Sequence, residues 1–533
     1  MTNLIFVYIR SKTRILQSND ESMNKFFSKS GIWILLILIL GFFILSPILR
    51  PGFIVTDDGN WMVIRLSAFY QSLRDGQFPV RFLGRLNYSY GYPVANFLYP
   101  GFMYLGSIFH ALGFSFQQSV EAILILSVIG GTIGAFFWLR IYFDTHSSLL
   151  GSLAVLMNPY FLYDVYTRGS VGEAFAIGIS FWVLYALESG NYVLYIPLLS
   201  LLLISHNTAA LFCMLVIALL IAVKNLSSAV RPTLIACGIS SFFWIPAIIE
   251  RRFVLFDSVT VSNPFHYFPA SMDLLLKSAP LGLLCLGILF LQSKLYEKER
   301  SLFSWLLIVA SFFISQLSGV FWGSKILQLF VQFPYRLFIF WIISGAWIIA
   351  YISESWKKIG IGLAISSILW IGYSSISYLN TQNVIREDGY YSTNEGTTTV
   401  ANEYMPRWVS VLPSRRADER IEVLSGNATI TPIEINTNRI HVQVHAKEDS
   451  ELQINTIFYP GWGAMIDDMP VNIAYNNDQG LMRMPILSGE HSLFMEFRET
   501  KSRFAADMIT LLCGLLYVGM YVVPSISRRR LVR

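Results

Sequence analysis

Apolar residues in this chain fall in long unbroken runs separated by short polar connections. The runs cover 32–49, 120–139, 148–164, 174–188, 192–206, 207–223, 232–249, 278–293, 302–320, 328–352, 359–379 and 504–525. At about 1.5 Å per helical residue, most are long enough to cross a hydrocarbon layer of about 30 Å. The pattern predicts a polytopic α-helical membrane protein with about twelve transmembrane helices. Residues 97–116 (FLYPGFMYLGSIFHALGFSF) are apolar and aromatic but interrupted by Pro100 and His110, and fit either a further span or a helix half-sunk in the interface. Past residue 379 the period changes. RIHVQVHA, ELQINTIFY and HSLFMEF alternate every two residues, with turn signals such as YPGWG, NND and SGE between them. This predicts a β-rich, sandwich-like domain over 380–503, tethered by a helix at each end.

Four regions follow: an N-terminal segment 1–31, a helical bundle 32–379 with a first loop at 50–119, the β-rich domain 380–503, and a last helix with a basic tail at 504–533. Charge distribution orients them. If 97–116 does not cross, Arg140, Lys224, Arg231, Lys294, Lys298, Arg300, Lys357, Lys358 and Arg528–Arg530 all share the side of the basic N-terminus, as the positive-inside rule requires. Both termini are then cytoplasmic and 380–503 is extracytoplasmic. If 97–116 crosses, the later loops exchange sides and the C-terminal arginines face outward, so the first arrangement is preferred.

Composition narrows the function. The 533 residues are 54% hydrophobic and only 14% charged, and a net charge of +5 is too small for a chain this long to suggest nucleic acid. Cys213, Cys237, Cys285 and Cys513 all sit in apolar runs, so neither a disulfide framework nor a zinc-ligand spacing is present. There is no P-loop or dinucleotide fingerprint.

The informative polar residues lie where the apolar runs end on the outward side. TDDGNWMVIR (56–65) sets Asp57 and Asp58 just past the first span, where charge is tolerated only at the interface or in a watered cavity. Met62, Leu66, Phe69 and Leu73 then recur at helical spacing, predicting an interfacial helix for which Asp58 is also a fitting N-cap. YDVYTRGSVGEAF (163–175) carries Arg168 and Glu173, which could equally be a salt bridge holding a loop. LISHNTAAL (203–211) carries His206 and Asn207. FFWIPAIIERRF (242–253) carries Glu250 and Arg251, His266 follows on the same side, and QFPYRLF (332–338) holds Arg336 inside an apolar run. A carboxylate pair, a His-Asn pair and several arginines on one face suit a phosphate-bearing substrate that is soluble in the membrane.

These motifs, with GYPVANFLYP, ANEYMPRW and the C-terminal YPGWGAMIDDMPV and SGEHSLFMEFRE, resemble the YfhO-like, 6-pyruvoyl-tetrahydropterin-synthase-related membrane proteins of bacteria and archaea. Those belong to the GT-C glycosyltransferase superfamily. The resemblance implies transfer of a sugar from a polyprenyl-phosphate donor to an extracytoplasmic glycan, lipid or wall polymer, in the cell membrane. It implies that Asp58 is the catalytic base or a metal partner, with Asp57 raising its neighbour's pKa or joining it on a divalent cation. Arg168 and Arg336 become candidates for the donor phosphate, His206 and Asn207 for positioning it, and Glu173 for orienting Arg168. The family pattern reads roughly D-G-x-[FW]-H, and Met62 stands in place of its histidine. Two other classes use the same residues without chemistry: a flippase or transporter of lipid-linked glycans, and a non-catalytic partner in their assembly. The topology is tested by a cysteine at position 296 in a cysteine-free background, which should resist an impermeant maleimide added outside the cell; labelling there reverses the assignment.

Overall fold

A computed structural model describes residues 31–259, 263–289, 296–387 and 389–532. The expected cytoplasmic segment before Gly31, and Lys294 among the orienting cations, lie outside the described residues. Before residue 380 the chain is mostly helical. Phe116–Leu139, Val171–Glu188, Pro334–Ser355, Lys357–Leu379 and Lys501–Ser527 are each long and apolar enough to cross a membrane. Two bent pairs qualify jointly: Ser227–Ile239 with Ser241–Phe253, at 64°, and Pro264–Lys277 with Ala279–Ile288, at 63°. Gly31–Ile44, Tyr192–Leu203 and Asn207–Val223 are shorter apolar helices.

Several apolar runs therefore contain breaks that hydropathy does not register. In the run 148–164, the helix Thr145–Leu156 stops before Asn158, whose side chain caps a new helix Pro159–Tyr163 by accepting from Tyr160 N at 2.9 Å. Pro159 has no N–H with which to continue the first helix. In the run 232–249, the bend at Ser240 frees Phe242 N, which donates to Thr510 Oγ1 of the last helix at 2.9 Å. The neighbouring helix thus satisfies a backbone group that lipid could not.

The bundle has two chemically distinct ends. At one, Glu188 accepts from Trp138 Nε1 at 3.1 Å and pairs with Lys224 at 2.7 Å. The other gathers Glu173, His206 and Arg336. Helix Gly101–Ala111 keeps both of its ends at this second end: Gly101 N donates to Ile204 O at 2.8 Å, while His110 stacks on Phe116, where the helix that reaches Leu139 begins. Its 11 residues span about 16 Å.

Helix Gly59–Arg74 differs from the wet-faced interfacial helix its pattern predicts. Met62 through Phe69 are all buried, Arg65 included. The cover is a strap running from Gln382 to Tyr404, sequence-distant and hence invisible to local periodicity. Strand β1 (Phe53–Ile54) pairs antiparallel with β2 (Asn383–Val384) at its start. Farther along, Asn60 Nδ2 donates to Tyr390 Oη at 3.1 Å, Ser67 Oγ to Tyr391 O at 2.5 Å, and Arg85 Nη1 to Ser392 O at 2.6 Å.

Apart from β2, the β structure begins at Ile421 rather than at 380. β3 (Ile421–Ser425), β6 (Ser450–Ile457) and β9 (Leu481–Ile486) form a three-stranded antiparallel sheet in the order β3–β6–β9. β4 (Ala428–Ile435), β5 (Arg439–Ala446), β7 (Trp462–Ile466), β8 (Met469–Val471) and β10 (Gly489–Phe497) form a five-stranded one in the order β4–β5–β10–β7–β8. The two-residue alternation sends Ile440, Val442, Val444 and Ala446 inward on β5, and Leu493, Met495 and Phe497 on β10.

The strands are joined to the first loop rather than set apart from it. Ile457 N donates to Tyr90 O at 2.8 Å, Thr437 Oγ1 to Asp75 Oδ2 at 2.6 Å, and Phe82 packs on Trp462 and Phe497. Arg81, 2% exposed, pairs with Glu499 at 3.1 Å and Asp507 at 3.0 Å. Glu250, 1% exposed, accepts from Arg503 Nη2 at 2.7 Å, Asn96 Nδ2 at 2.9 Å and Tyr459 Oη at 3.0 Å. Gly461, at φ +124°, leaves the space Arg503 occupies: a Cβ there would lie 2.8 Å from Nη1. One carboxylate thus fastens the bent helix, the first loop, the β-domain and the last helix together. Glu250→Ala strands a buried guanidinium and should cost about 3–5 kcal/mol, read as a large fall in thermal midpoint in detergent; a change below about 1 kcal/mol would remove Glu250 from this role.

Candidate active site

The first loop reaches the bundle by docking on a second loop. Asp57 N donates to Thr167 O at 2.9 Å and Asp58 N to Arg168 O at 2.8 Å, so the acidic pair rides on the backbone that carries Arg168. Gly169 makes the approach possible. It sits at φ +67°, and a Cβ there would meet Thr56 Oγ1 at 2.2 Å and Gly59 N at 2.6 Å.

Asp58 occupies the N-cap position of Gly59–Arg74, but its side chain makes no capping hydrogen bond. Thr56 Oγ1 accepts from Gly59 N at 3.0 Å instead. The capping reading of Asp58 is thereby corrected, and its carboxylate has no hydrogen-bond partner among the described residues. Partial desolvation, then the adjacent Asp58, holds the Asp57 carboxyl above the usual carboxylate range, while Arg168 pulls it down.

Behind the pair lies a buried ionic cluster centred on Glu173, in the first turn of Val171–Glu188. Its Oε1 accepts from Tyr160 Oη at 2.5 Å and its Oε2 from Arg168 Nη1 at 2.7 Å. Arg336 Nε lies 3.3 Å from Oε2 and His206 Nε2 3.6 Å. His206 also caps the helix Asn207–Val223, its Nδ1 accepting from Ala209 N at 3.2 Å, which assigns the neutral ring's proton to Nε2, facing Glu173. Arg168 Nη1 has a second carboxylate, Asp164, at 2.5 Å. Its Nε and Nη2 have no partner among the described residues. Arg336 Nη1 is held by Gln332 Oε1 and lies 3.4 Å from Thr208 Oγ1, and Gln332 itself adopts φ +67°. Two carboxylates and two guanidiniums balance in charge, as burial requires.

The structure thus brings together Asp57, Asp58, Arg168, Glu173, His206 and Arg336. Asn207 is adjacent, exposed, and donates to Phe97 O at 3.2 Å. Three sequence candidates belong elsewhere. Glu250 is the joint described above, Arg251 pairs with Asp257 at the surface, and His266 is exposed beside Tyr267. Charge at the end of an apolar run drew attention to all three, and that signal does not distinguish a joint from a site.

Asp164, Tyr160 and Tyr335, whose ring carries Arg168 at 5.1 Å, were not predicted. Asp164 stands four residues before Arg168, a spacing that one helical turn converts into contact. Among the described residues no three His, Cys, Asp or Glu side chains gather as metal ligands. Asp57 and Asp58 would give a divalent cation only part of its oxygen shell.

No protein-family model matches the sequence, and no curated protein matches it. Among solved structures it is similar to the single-particle cryo-EM structure of the arabinofuranosyltransferase AftD from Mycobacteria, with a TM-score of 0.42 and 14% identity, covering 64% of this chain and 26% of that one. The chain spans about a quarter of the length of that neighbour.

Glu173→Gln keeps the shape but removes the charge shared by Arg168, Arg336 and His206. It should destabilise the protein by about 3–5 kcal/mol, measured by thermal unfolding. Unchanged stability would mean the cluster is not ionised as described.

Proposed function

We propose that this chain is a membrane glycosyltransferase of the GT-C type, taking a sugar from a polyprenyl-phosphate donor within the bilayer and passing it to an extracytoplasmic glycan, lipid or wall polymer. The observation that carries this reading is a carboxylate released from capping, Asp58, docked on the backbone of Arg168 at the mouth of a buried ionic cluster. A residue needed only to start a helix would be used for that, and Thr56 is used instead.

In the proposed step the acceptor oxygen attacks the anomeric carbon and the bond from that carbon to the phosphate oxygen breaks. The phosphate leaves with the electron pair, and the acceptor's proton passes to Asp58. The unpartnered Nε–Nη2 edge of Arg168 and the Arg336 guanidinium receive the negative charge that develops. Glu173 orients both cations, and Asp164 holds Arg168. Asp57 neighbours Asp58 and, should a divalent cation take part, joins it as ligand. In this reading the twelve apolar runs make twelve passes, some bent, the termini are cytoplasmic, and the two sheets form an extracytoplasmic sandwich that contacts the acceptor. Trp408, Tyr459 and Trp462 do not supply a sugar platform there, since Tyr459 and Trp462 are core residues and Trp408 bonds Phe458 O through its indole N–H.

Asp58→Asn preserves shape and removes the basic site. Purified protein in nanodiscs should keep its stability and its affinity for lipid-linked donor, and lose about two to four orders of magnitude in transfer. Arg336→Ala should weaken donor binding as well as turnover. If Asp58→Asn and Asp57→Asn both retain most transfer, the base assignment in this loop fails.

A further inference from the structure

Five arginines are buried among the described residues: Arg65, Arg81, Arg168, Arg336 and Arg503. Four have carboxylates, at 3.0 Å for Arg81, 2.5 Å for Arg168, 3.3 Å for Arg336 and 2.7 Å for Arg503. Arg65, 2% exposed, has no carboxylate partner among the described residues. Its Nη1 meets the Met62 sulfur at 3.3 Å, a weak acceptor. Glu403 of the covering strap is engaged within the strap, its carboxylate accepting from Ala401 N at 3.2 Å. A guanidinium buried without a counter-ion is costly and calls for an anion.

What Arg65 does hold is a single residue of the strap, by two oxygens. Its Nε donates to Thr398 Oγ1 at 3.2 Å and its Nη2 to Thr398 O at 2.6 Å. Nε and Nη2 form the edge with which a guanidinium grips two oxygens of one phosphate or carboxylate. Thr398 achieves this at φ +62°, a left-handed conformation that a β-branched residue adopts only under strain. Arg65 also lies two helical turns beyond Asp58, on the same face.

We infer that the Nε–Nη2 edge of Arg65 is a phosphate site beside the acidic pair, and that Thr398 plugs it through a strained strap that the phosphate displaces. The presence of an anion site follows from Arg65 and Thr398 alone; that the phosphate is borne by a lipid rests on the transferase reading. The strap is then a gate: ligand binding at Arg65 releases the segment that covers helix Gly59–Arg74.

The test uses full-length protein in nanodiscs with undecaprenyl phosphate, neutral undecaprenol or inorganic phosphate, measuring affinity and the hydrogen exchange of residues 392–402. Undecaprenyl phosphate should bind and raise exchange in the strap, and undecaprenol should not. A matching rise with inorganic phosphate assigns the site to the phosphate group alone, and its absence assigns it to the lipid-borne form. Arg65→Lys keeps the charge but not the fork and should weaken binding about tenfold, whereas Thr398→Ala removes one oxygen of the plug and should tighten it by about as much. The gain with Thr398→Ala separates the effect from misfolding. The inference is overturned if neither phosphate changes strap exchange, or if both variants bind like the wild type. Phosphate binding of this kind without sugar transfer would uphold the site and sink the transferase; transfer with Arg65-independent binding would do the reverse.

Discussion

The buried charge of Glu173 is the constraint on which the rest of this end of the bundle depends. An ionised carboxylate with no exposure is tolerable only when cations and donors surround it. They come from several parts of the chain: Tyr160 from the short helix after the Asn-Pro break, Arg168 from the following turn, His206 from a helix cap, and Arg336 from the turn before Phe338–Ser355. Because Arg168 is fixed by this carboxylate, its backbone is fixed too. The acidic pair, hung on the carbonyls of Thr167 and Arg168, inherits its position from Glu173 although no direct contact joins them.

A similar logic operates at the junction with the β-domain. Burying Glu250 with Arg503, and Arg81 with Glu499 and Asp507, contributes little net stability against an apolar alternative, but misplacing either partner leaves an uncompensated charge. The effect is registry. The first loop, the bent helix and the last helix can meet the β-domain in one arrangement without stranding a charge. The YPGWG motif serves this junction: Tyr459 hydrogen-bonds Glu250, Gly461 leaves room for Arg503, and Trp462 packs on Phe82. The β-rich domain is therefore integrated with the bundle through buried polar contacts.

The strap adds a different kind of constraint. It closes over Gly59–Arg74 with hydrogen bonds from Asn60, Arg65, Ser67 and Arg85, and several of these end on its backbone carbonyls. Carbonyls are weak partners for a buried cation compared with a carboxylate. The cover is thus held less firmly than the ionic joints.

By itself the sequence determined the apolar runs, the strands with two-residue alternation after them and the polar motifs that interrupt the runs, though not that the strands start at Ile421, because each pattern is written in neighbouring residues: solvent transfer acts along the chain, and helix and strand periods are local. It also singled out Arg168, Glu173, His206 and Arg336, since charge and imidazole inside apolar runs are expensive wherever the chain goes. Tertiary structure alone decided that Thr56 and not Asp58 caps the helix Gly59–Arg74, that Glu250 is a joint and not part of the cluster, and that Arg65 is buried under Thr398. Those outcomes rest on contacts between residues as far as 333 positions apart, where nothing in the local pattern records the partner, and the cost of burying a charge is set by the partner it finds.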